Sequence, residues 1–350
     1  MRRAVVTVLL LLVVLTGVEA ALAQSTRDEP VAFGAPVLVG DWAIRVSRVN
    51  FDAASIVRKT NQFNDPPAPG QRFVMALIDA TYLGEASANL VWDTSFKVVG
   101  QSNSAYATSD PGCGVLPRAM LDAPEAFTGG RITANVCWSV PESDIASLVM
   151  FAEPLWGGGE REFLALSPAG AAHSGTLDAP FEMPATRRQI ADARRAAGRD
   201  RRVGGRHNPI PFGQAATVGD WTLRVTSVNR DAEDLVLAEN MFNDPPPPGQ
   251  QFLLVGIDAQ LAPGADNSSF FWTDISLKVV GPRALAYSQS NAECGVTPAQ
   301  LTDAPEVFPG GRIQGNACWA ARSTEIEGMV LLAEPLFGGS DEEAVFFALS

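Results

Sequence analysis

Four cysteines are the residues whose spacing most directly suggests chemistry. They fall into two pairs, Cys113 with Cys137 and Cys294 with Cys318, and the members of each pair are 24 residues apart. An even, recurring set of cysteines is typical of disulfides in an exported protein. Sequence alone allows three pairings, and the internal repetition described below favours Cys113–Cys137 and Cys294–Cys318. The alternative is a zinc site, but the close spacing and nearby histidines of such sites are missing from the sequence.

Catalytic constellations have little support in the sequence. The two histidines, His173 and His207, lie outside the repeated parts of the chain, so a Ser-His-Asp or Cys-His site would need a connecting segment. Glycoside hydrolysis needs two carboxylates across a cleft, and carboxylates recur at Glu153 and Glu334, Asp79 and Asp258, and Asp93 and Asp274. Carboxylates at strand ends are more often turn formers. We expect no enzymatic activity, no cofactor and no metal.

The most conspicuous candidate for binding is a proline-rich loop that occurs twice. Its candidate binding residues are Phe63, Asn64 and Asp65 in the first copy and Phe242, Asn243 and Asp244 in the second. Loops on rigid scaffolds often carry binding. The structural alternative is a rigid entry into the next strand, because Asn and Asp bond nearby backbone and prolines stiffen the loop. A weak calcium site at Asp65 or Asp244 is a third possibility.

Tryptophans are a second group of binding candidates, as flat platforms for carbohydrate. Trp42, Trp92 and Trp138 are matched in order by Trp221, Trp272 and Trp319. Trp42 and Trp138 adjoin strand or cysteine positions and are expected in the core. Trp92 and Trp272 follow loops that differ between the copies, so we expect this pair to be exposed.

The chain contains two copies of one sequence pattern. At a shift of about 180 residues, matches occur in order at Gly40–Trp42 and Gly219–Trp221, Phe63–Pro67 and Phe242–Pro246, Lys97–Gly100 and Lys278–Gly281, Cys113–Val115 and Cys294–Val296, Asp122–Glu125 and Asp303–Glu306, and Ala152–Leu155 and Ala333–Leu336. Matches of this density indicate a duplicated domain. The copies span residues 31–167 (repeat 1) and 208–350 (repeat 2).

Within each repeat the hydrophobic pattern is that of β-strands. Trp42, Ile44 and Val46 alternate with more polar neighbours, and the apolar run Phe73–Ile78 fits a central strand buried on both faces. Residues 51–60 and 230–240 could each hold a helical turn. Six to eight short strands in about 140 residues, with frequent turn signals, predict an all-β protein of two tandem antiparallel β-sandwich domains.

The segment between the repeats, residues 168–207, differs in composition from both. Up to Arg206 it holds eight arginines and four acidic residues, a net charge of +4 in a chain whose total is −13. Glycine, proline and charge predict a flexible Arg-rich linker. The alternative is a basic strap that docks onto an acidic domain or an acidic envelope polymer.

The N-terminus has the pattern of a cleaved signal peptide over residues 1–23. Arg2 and Arg3 precede an apolar run, Ala4–Leu15, and Ala21–Ala23 supplies a small-residue cleavage site. The run is too short to span a bilayer, so we expect no integral membrane segment after cleavage and a secreted, extracellular or periplasmic protein. With 26 Lys and Arg against 39 Asp and Glu in 350 residues, the charge argues against a general nucleic-acid binder.

Four motifs give each repeat a family resemblance: the Gly-Asp-Trp strand, the Asn-Asp-Pro-Pro-x-Pro-Gly-x-x-Phe turn, Cys-Gly-Val-x-Pro, and the Gly-Gly-Arg-Ile…Cys-Trp return. Each repeat resembles secreted bacterial immunoglobulin-like domains of unknown function, related to small immunogenic extracellular sandwich proteins. The resemblance implies an immunoglobulin-like β-sandwich outside the cytoplasm, and it brings no catalytic residue or ligand. The duplication, the symmetric disulfides and the lack of a nucleophile–base arrangement lead us to expect a non-catalytic binding protein whose partner is an extracellular or cell-envelope protein or polymer. An envelope-polysaccharide hydrolase and a structural envelope component are the alternatives.

Overall fold

The computed structural model describes residues 25–109, 112–156, 160–167, 174–176, 202–337 and 343–350. The predicted signal peptide, residues 1–23, and most of the predicted linker lie outside these residues. In the described parts of the chain, no helix is long and apolar enough to cross a membrane.

Antiparallel strands make up most of the regular structure. Those of repeat 1 are β1 (Val37–Val39), β2 (Trp42–Asn50), β3 (Gln71–Tyr82), β4 (Thr94–Val99), β5 (Ala105–Ala107), β6 (Glu125–Ala126), β7 (Arg131–Pro141), β8 (Val149–Pro154) and β9 (Glu162–Ala165). The strand β10 (Ser174–Thr176) lies in the expected linker. Those of repeat 2 are β11 (Ala215–Val218), β12 (Trp221–Asn229), β13 (Gln250–Leu261), β14 (Ile275–Val280), β15 (Leu285–Ser288), β16 (Arg312–Arg322), β17 (Val330–Pro335) and β18 (Val345–Ala348).

The helices in the described parts of the chain are short. They are α1 (Ala54–Thr60), α2 (Leu90–Asp93), α3 (Glu233–Glu239) and α4 (Phe271–Asp274), with 3₁₀ segments at Met120–Asp122, Glu142–Ser147, Leu301–Asp303 and Ile326–Gly328. The helices α1 and α3 fall where the sequence predicts a helical turn, at residues 51–60 and 230–240.

Each repeat folds into two antiparallel sheets that pack face to face. The strand orders are β1-β2-β3-β7 and β5-β4-β8-β9 in repeat 1, and β11-β12-β13-β16 and β18-β17-β14-β15 in repeat 2. Trp42 and Trp138 lie in the core of repeat 1, and Trp221 and Trp319 in that of repeat 2. Each of the four is at most 1% exposed. The predicted all-β antiparallel sandwich is confirmed.

The strand β3 is buried on both faces, as its continuous apolar sequence predicts. Val74, Ala76 and Ile78 point into the core between the sheets. Phe73 and Met75, on the opposite face, pack in a second small cluster with α1 and a disulfide. Because successive side chains of a strand point to opposite faces, only a strand covered on both sides can be apolar throughout.

Both predicted disulfides are confirmed. Cys113 is bonded to Cys137, and Cys294 is bonded to Cys318. Cys137 stands opposite Met75 in the pairing of β3 with β7. The bond therefore fastens a long loop onto the outer face of the central strand.

A strand pairing joins the two repeats. The strand β6 of repeat 1 pairs with β15 of repeat 2, with Ala126 opposite Leu285. The Phe127 N–H donates to the Ala284 carbonyl oxygen at 2.8 Å. Leu285 is 4% exposed and belongs to the core of repeat 1. The repeats thus share a sheet and part of a core, a contact that the sequence analysis did not predict.

Two described parts of the expected linker are held by the domains. The strand β10 pairs with β2. Arg202 Nη2 donates to the Ala344 carbonyl oxygen at 3.0 Å, and Arg206 Nη2 donates to that of Gly281 at 3.3 Å. The Arg206 guanidinium also lies 5.5 Å from the centre of the Phe127 ring, and its burial lowers the pKa of this arginine. The remaining residues of the flexible linker expected over 168–207 lie outside the described parts of the chain, so its flexibility stays a prediction.

Candidate ligand groove between the repeats

Three hollows that share lining residues form a groove, of which the first two lie between the repeats and the third lies within repeat 2. Their volumes are about 280 Å³, 570 Å³ and 480 Å³. The first and second share Asp122, Ala123 and Asn291 in their linings, and the second and third share Ser290 and Glu293. We call this feature the inter-repeat groove.

Three arginines line the first hollow. Arg118 and Arg131 come from repeat 1, and Arg322, whose Nε also lies 3.9 Å from a Glu325 carboxylate oxygen, comes from repeat 2. One acidic residue, Asp122, lies among the lining residues. Repeat 2 has Ala299 at the position that Arg118 occupies in repeat 1. Guanidinium groups clustered in this way suit a carboxylate or phosphate ligand, which they can bind through paired hydrogen bonds.

Arg131 lacks, among the described residues, the ion pair that its counterpart in repeat 2, Arg312, forms. Arg312 begins β16 as Arg131 begins β7, and Arg312 forms an ion pair with Asp258. In repeat 1 the matching carboxylate, Asp79, pairs with Arg45 at 2.9 Å, as Asp258 also pairs with Arg224. No ion pair of Arg131 occurs among the described residues, so its charge is available to the groove.

Trp92 stands in the wall of the second hollow and is 61% exposed. The short helix α2 positions it. Asn89 caps this helix by accepting a backbone N–H bond on its side chain at 3.3 Å, Leu90 is fully buried, and Asp93 accepts a 2.8 Å bond from the Trp42 indole. Since the residues on either side of this turn are anchored inward, Trp92 points outward, as the sequence predicts.

Trp272 is exposed too, at 49%, but it is not the counterpart of Trp92. Asp93 and Asp274 are equivalent, because each accepts a 2.8 Å bond from the first buried tryptophan of its repeat. Counted from these carboxylates, Trp272 matches Val91 instead, which corrects the pairing read from the sequence. Trp272 does not line any of the three hollows.

The candidate asparagines of the proline-rich loops have structural partners. Asn243 Nδ2 donates to the carbonyl oxygens of Val236 and Val296 at 2.6 and 2.7 Å, and Asn243 Oδ1 accepts the Val296 N–H at 2.9 Å. Asn64 makes the same three bonds in repeat 1. Gly295 has a φ of +79°, and a Cβ there would overlap Asn243 Oδ1. These asparagines hold the loop against the disulfide-bonded segment through hydrogen bonds. A role in ligand binding stays a prediction, because this structural role already explains why both repeats have an asparagine here.

The other candidates of these loops are exposed. Phe63 and Phe242 are 83% and 82% exposed, and Asp65 and Asp244 are exposed beside them. Phe242 lines the third hollow, whereas Phe63 lines none of the three. Across the described residues, no group of three His, Cys, Asp or Glu side chains could hold a metal ion.

Two of the three recurring carboxylate pairs are neutralised by basic side chains. Lys97 Nζ donates to Glu153 at 2.8 Å and Arg161 Nε donates to it at 2.9 Å. Burial alone would raise the pKa of Glu153, but these bonds outweigh it and lower that pKa. Lys278 Nζ lies 2.6 Å from both Glu334 and Glu125. Burial would lower the pKa of Lys278, and the two carboxylates raise it instead.

The remaining carboxylates are also engaged. Hydrogen bonds from Arg312 and, more weakly, from Arg224 lower the pKa of Asp258 against the effect of its burial. Asp79 pairs with Arg45, and Asp93 and Asp274 hold the buried indoles described above. The lowered pKa values of Glu153 and Asp258 make these two carboxyl groups poor general acids near neutral pH, and glycoside hydrolysis requires such an acid.

Several exposed residues near the groove or the domain ends escaped the sequence analysis. Leu121, 69% exposed, lines the second hollow. Trp156 and Phe337 are 76% and 82% exposed. The sequence could have identified Trp156 and Phe337, because each directly follows the Glu-Pro-Leu that recurs in both repeats. The groove itself brings together three candidates, Trp92 from repeat 1 and Phe242 and Asn243 from repeat 2, and leaves out Phe63 and Trp272.

Comparisons with known proteins give structural likeness alone. No protein-family model and no curated protein matches the chain. Similar solved structures include a conserved hypothetical protein from Bacillus anthracis (13% identity, TM-score 0.25, covering 39% of this chain and 95% of that one). The yjhA protein from Bacillus subtilis (12%, 0.26, 40% and 98%) and an uncharacterized β-sandwich protein from Clostridium difficile (9%, 0.22, 39% and 91%) are others.

Proposed function

We propose that the protein is a non-catalytic, extracytoplasmic binding protein that holds an acidic polysaccharide in the inter-repeat groove. The observation that carries the proposal is that a hollow lined by Arg118, Arg131 and Arg322 continues into one walled by the exposed face of Trp92. Guanidinium groups bind carboxylates or phosphates. A flat aromatic ring offers a large, rigid apolar contact to a sugar ring.

Polar side chains between these two features suit the hydroxyl groups of a sugar chain. The lining of the second hollow includes Asn89, Ser288, Ser290 and Asn291. Amide and hydroxyl groups both donate and accept hydrogen bonds, so they can pair with hydroxyls in many orientations. An extended groove of this kind fits a polymer better than a compact metabolite.

Two further observations support the location and the lack of catalysis. Both disulfides are compatible with an oxidising compartment outside the cytoplasm. Each of the six recurring carboxylates is bound to a basic side chain or to a buried indole, which disfavours these six as a hydrolytic pair.

Titration calorimetry with defined oligosaccharides tests the proposal. We expect the oxidised protein to bind an oligouronate at least about tenfold more tightly than a neutral glucan of equal length, and to bind it less tightly as salt increases. Trp92→Ala and Arg118→Ala should each weaken binding about tenfold or more, the size of a lost aromatic or charge-assisted contact.

Matched controls make the test specific to the groove. Trp272→Ala removes an exposed tryptophan that does not line the groove, and Arg72→Ala removes an exposed arginine that pairs with Glu142. Both should bind like the unmodified protein. Equal binding by Trp92→Ala and the unmodified protein, or a preference for the neutral glucan, would contradict the proposal.

A further inference from the structure

The contact between the repeats joins two different surfaces. Repeat 1 contributes a donor segment, Glu125–Phe127, and repeat 2 contributes an acceptor edge, Ala284–Ala286. The Phe127 ring lies 5.9 Å from the ring of Phe346, and Lys278 binds Glu125. A contact between unlike surfaces can be repeated from one molecule to the next, in a ring or in an open chain.

Repeat 2 carries the same donor segment in an exposed form. Glu306–Phe308 aligns with Glu125–Phe127, since both follow Asp-Ala-Pro and precede Gly-Gly-Arg closely. Each segment is bridged on its inner edge to its own repeat, Ala126 to Ala88 and Val307 to Ser269. Among the described residues nothing pairs with the outer edge of Glu306–Phe308. Phe308 is 71% exposed, whereas its counterpart is half-buried in the contact between the repeats.

Repeat 1 carries the same acceptor edge in an exposed form. The strand β5 aligns with β15 and is the last strand of its sheet. Ser104 and Ala105 match Leu285 and Ala286 and are exposed, and no described strand pairs with them on that side. The preceding residue, Asn103, has a φ of 59°, close to the 61° of its counterpart Ala284. The backbone that receives the donor inside the chain is thus already formed in repeat 1.

The side chains around the two acceptor edges also correspond. Lys97 occupies the position of Lys278 and binds Glu153, just as Lys278 binds Glu334 in addition to Glu125. Lys97 is 32% exposed, so a carboxylate at the Glu306 position could reach it. Arg27 Nη2 donates to the Gly100 carbonyl oxygen, as Arg206 does to that of Gly281.

We propose that copies of this chain associate head to tail, with Glu306–Phe308 of one copy pairing with the β5 edge at Ser104 and Ala105 of the next. An exposed strand edge is a ready template for added strands, and Lys97 supplies the charge that Glu306 requires. Because Ser104 replaces the deeply buried Leu285, the contact between copies lacks the main apolar anchor of the contact within one chain. The association is therefore concentration-dependent and weaker than the contact it copies.

Sedimentation of the oxidised protein over a range of concentrations tests this proposal. We expect a mass that rises with concentration. Phe308→Asp and Ala105→Asp should each abolish the rise, the second because an aspartate opposite Glu306 places like charges across the strand pair. Ser104→Leu should lower the concentration needed by about tenfold or more, the effect of burying one leucine side chain. Phe63→Asp, which changes a similarly exposed phenylalanine outside both the contact and the groove, should behave like the unmodified protein.

A mixing experiment tests the direction of the contact. Phe308→Asp keeps an intact acceptor and Ala105→Asp keeps an intact donor, so an equimolar mixture should form 1:1 pairs that do not grow further. A protein that stays monomeric at its highest soluble concentration would overturn the proposal, and so would self-association that Phe308→Asp leaves intact. Neither outcome bears on saccharide binding, which is measured separately.

Discussion

Replacing Leu285 by alanine should destabilise the repeat to which it does not belong. Leu285 lies at the start of β15 in repeat 2, yet it is 4% exposed and packs in the core of repeat 1. Truncation of a buried leucine costs about 2–5 kcal/mol, the sum of lost transfer free energy and the cavity left behind. We expect most of this loss to fall on the opening of repeat 1.

Hydrogen exchange measured by mass spectrometry assigns such a loss to individual strands. A loss of about 2–5 kcal/mol lowers the protection of amides that exchange by opening of the whole repeat about 30-fold to a few thousand-fold. The decrease should be seen in β3 and β7 of repeat 1, far along the chain from the substitution. Peptides of β13 and β16 in repeat 2 should change less.

Leu331→Ala is the matched control. Leu331 is 1% exposed, and its side chain packs in the core of repeat 2, so its truncation removes the same atoms from a position within one repeat. It should lower protection in β13 and β16 and leave β3 and β7 close to the unmodified protein. If Leu285→Ala lowers protection in repeat 2 alone, the shared core does not exist in solution and the inter-repeat groove loses its basis.

Three further predictions concern the stability of the domains. Asp79→Asn should cost about 3–5 kcal/mol in urea unfolding, because the Arg45 side chain it neutralises is 6% exposed. Asp258→Asn should cost less, about 1–3 kcal/mol, since Arg224 and Arg312 are 41% and 53% exposed and can turn to water; an equal loss would contradict this reasoning. Stability should decrease as the pH falls below about 4, because the lowered pKa values of Glu153 and Asp258 mean that the unfolded chain takes up protons before the folded one does. Urea titrations from pH 7 to pH 3 measure how steeply the free energy of unfolding depends on pH, and Asp258→Asn should reduce this dependence. Replacing Cys113 and Cys137 by alanine should cost about 3.5 kcal/mol on the loop-entropy model, and replacing Cys294 and Cys318 should cost the same, since the two loops are of equal length; unequal midpoints in urea would argue against loop entropy as the cause.

The sequence was sufficient to predict the structural features that lie within a single repeat. The equal cysteine spacing predicted both disulfides, and the apolar run around Val74 predicted a strand covered on both faces. Local periodicity predicts the strand, because alternation and turn residues act within a few positions of one another, whereas the cysteine pairing follows from the internal repetition. The candidate asparagines show the limit of this reasoning. A side chain that recurs in both copies, as Asn64 and Asn243 do, serves a need common to both domains, and here that need is a hydrogen-bonded loop.

The groove could not be predicted, because it depends on a pairing between residues some 160 positions apart. Its clearest trace in the sequence is the set of positions at which the two copies differ. Leu285 stands where repeat 1 has Ser104, and Arg118 stands where repeat 2 has Ala299. Leu285 adds an apolar side chain and Arg118 adds a charged one, each on the surface where the two repeats meet. Differences between copies therefore indicate the inter-repeat surface better than identities do.

The same differences decide how many ligand sites the chain offers. A duplicated domain suggests two equivalent sites, but the groove forms where a donor segment meets an acceptor edge, and this happens once within the chain. A junction between two copies would place Ala299 where Arg118 stands, Thr273 where Trp92 stands, and Arg312, already paired with Asp258, where Arg131 stands. Such a junction lacks both the cation cluster and the aromatic wall. Head-to-tail association would therefore add one groove per chain, so that avidity for a long polymer grows with the number of associated copies rather than with the number of repeats.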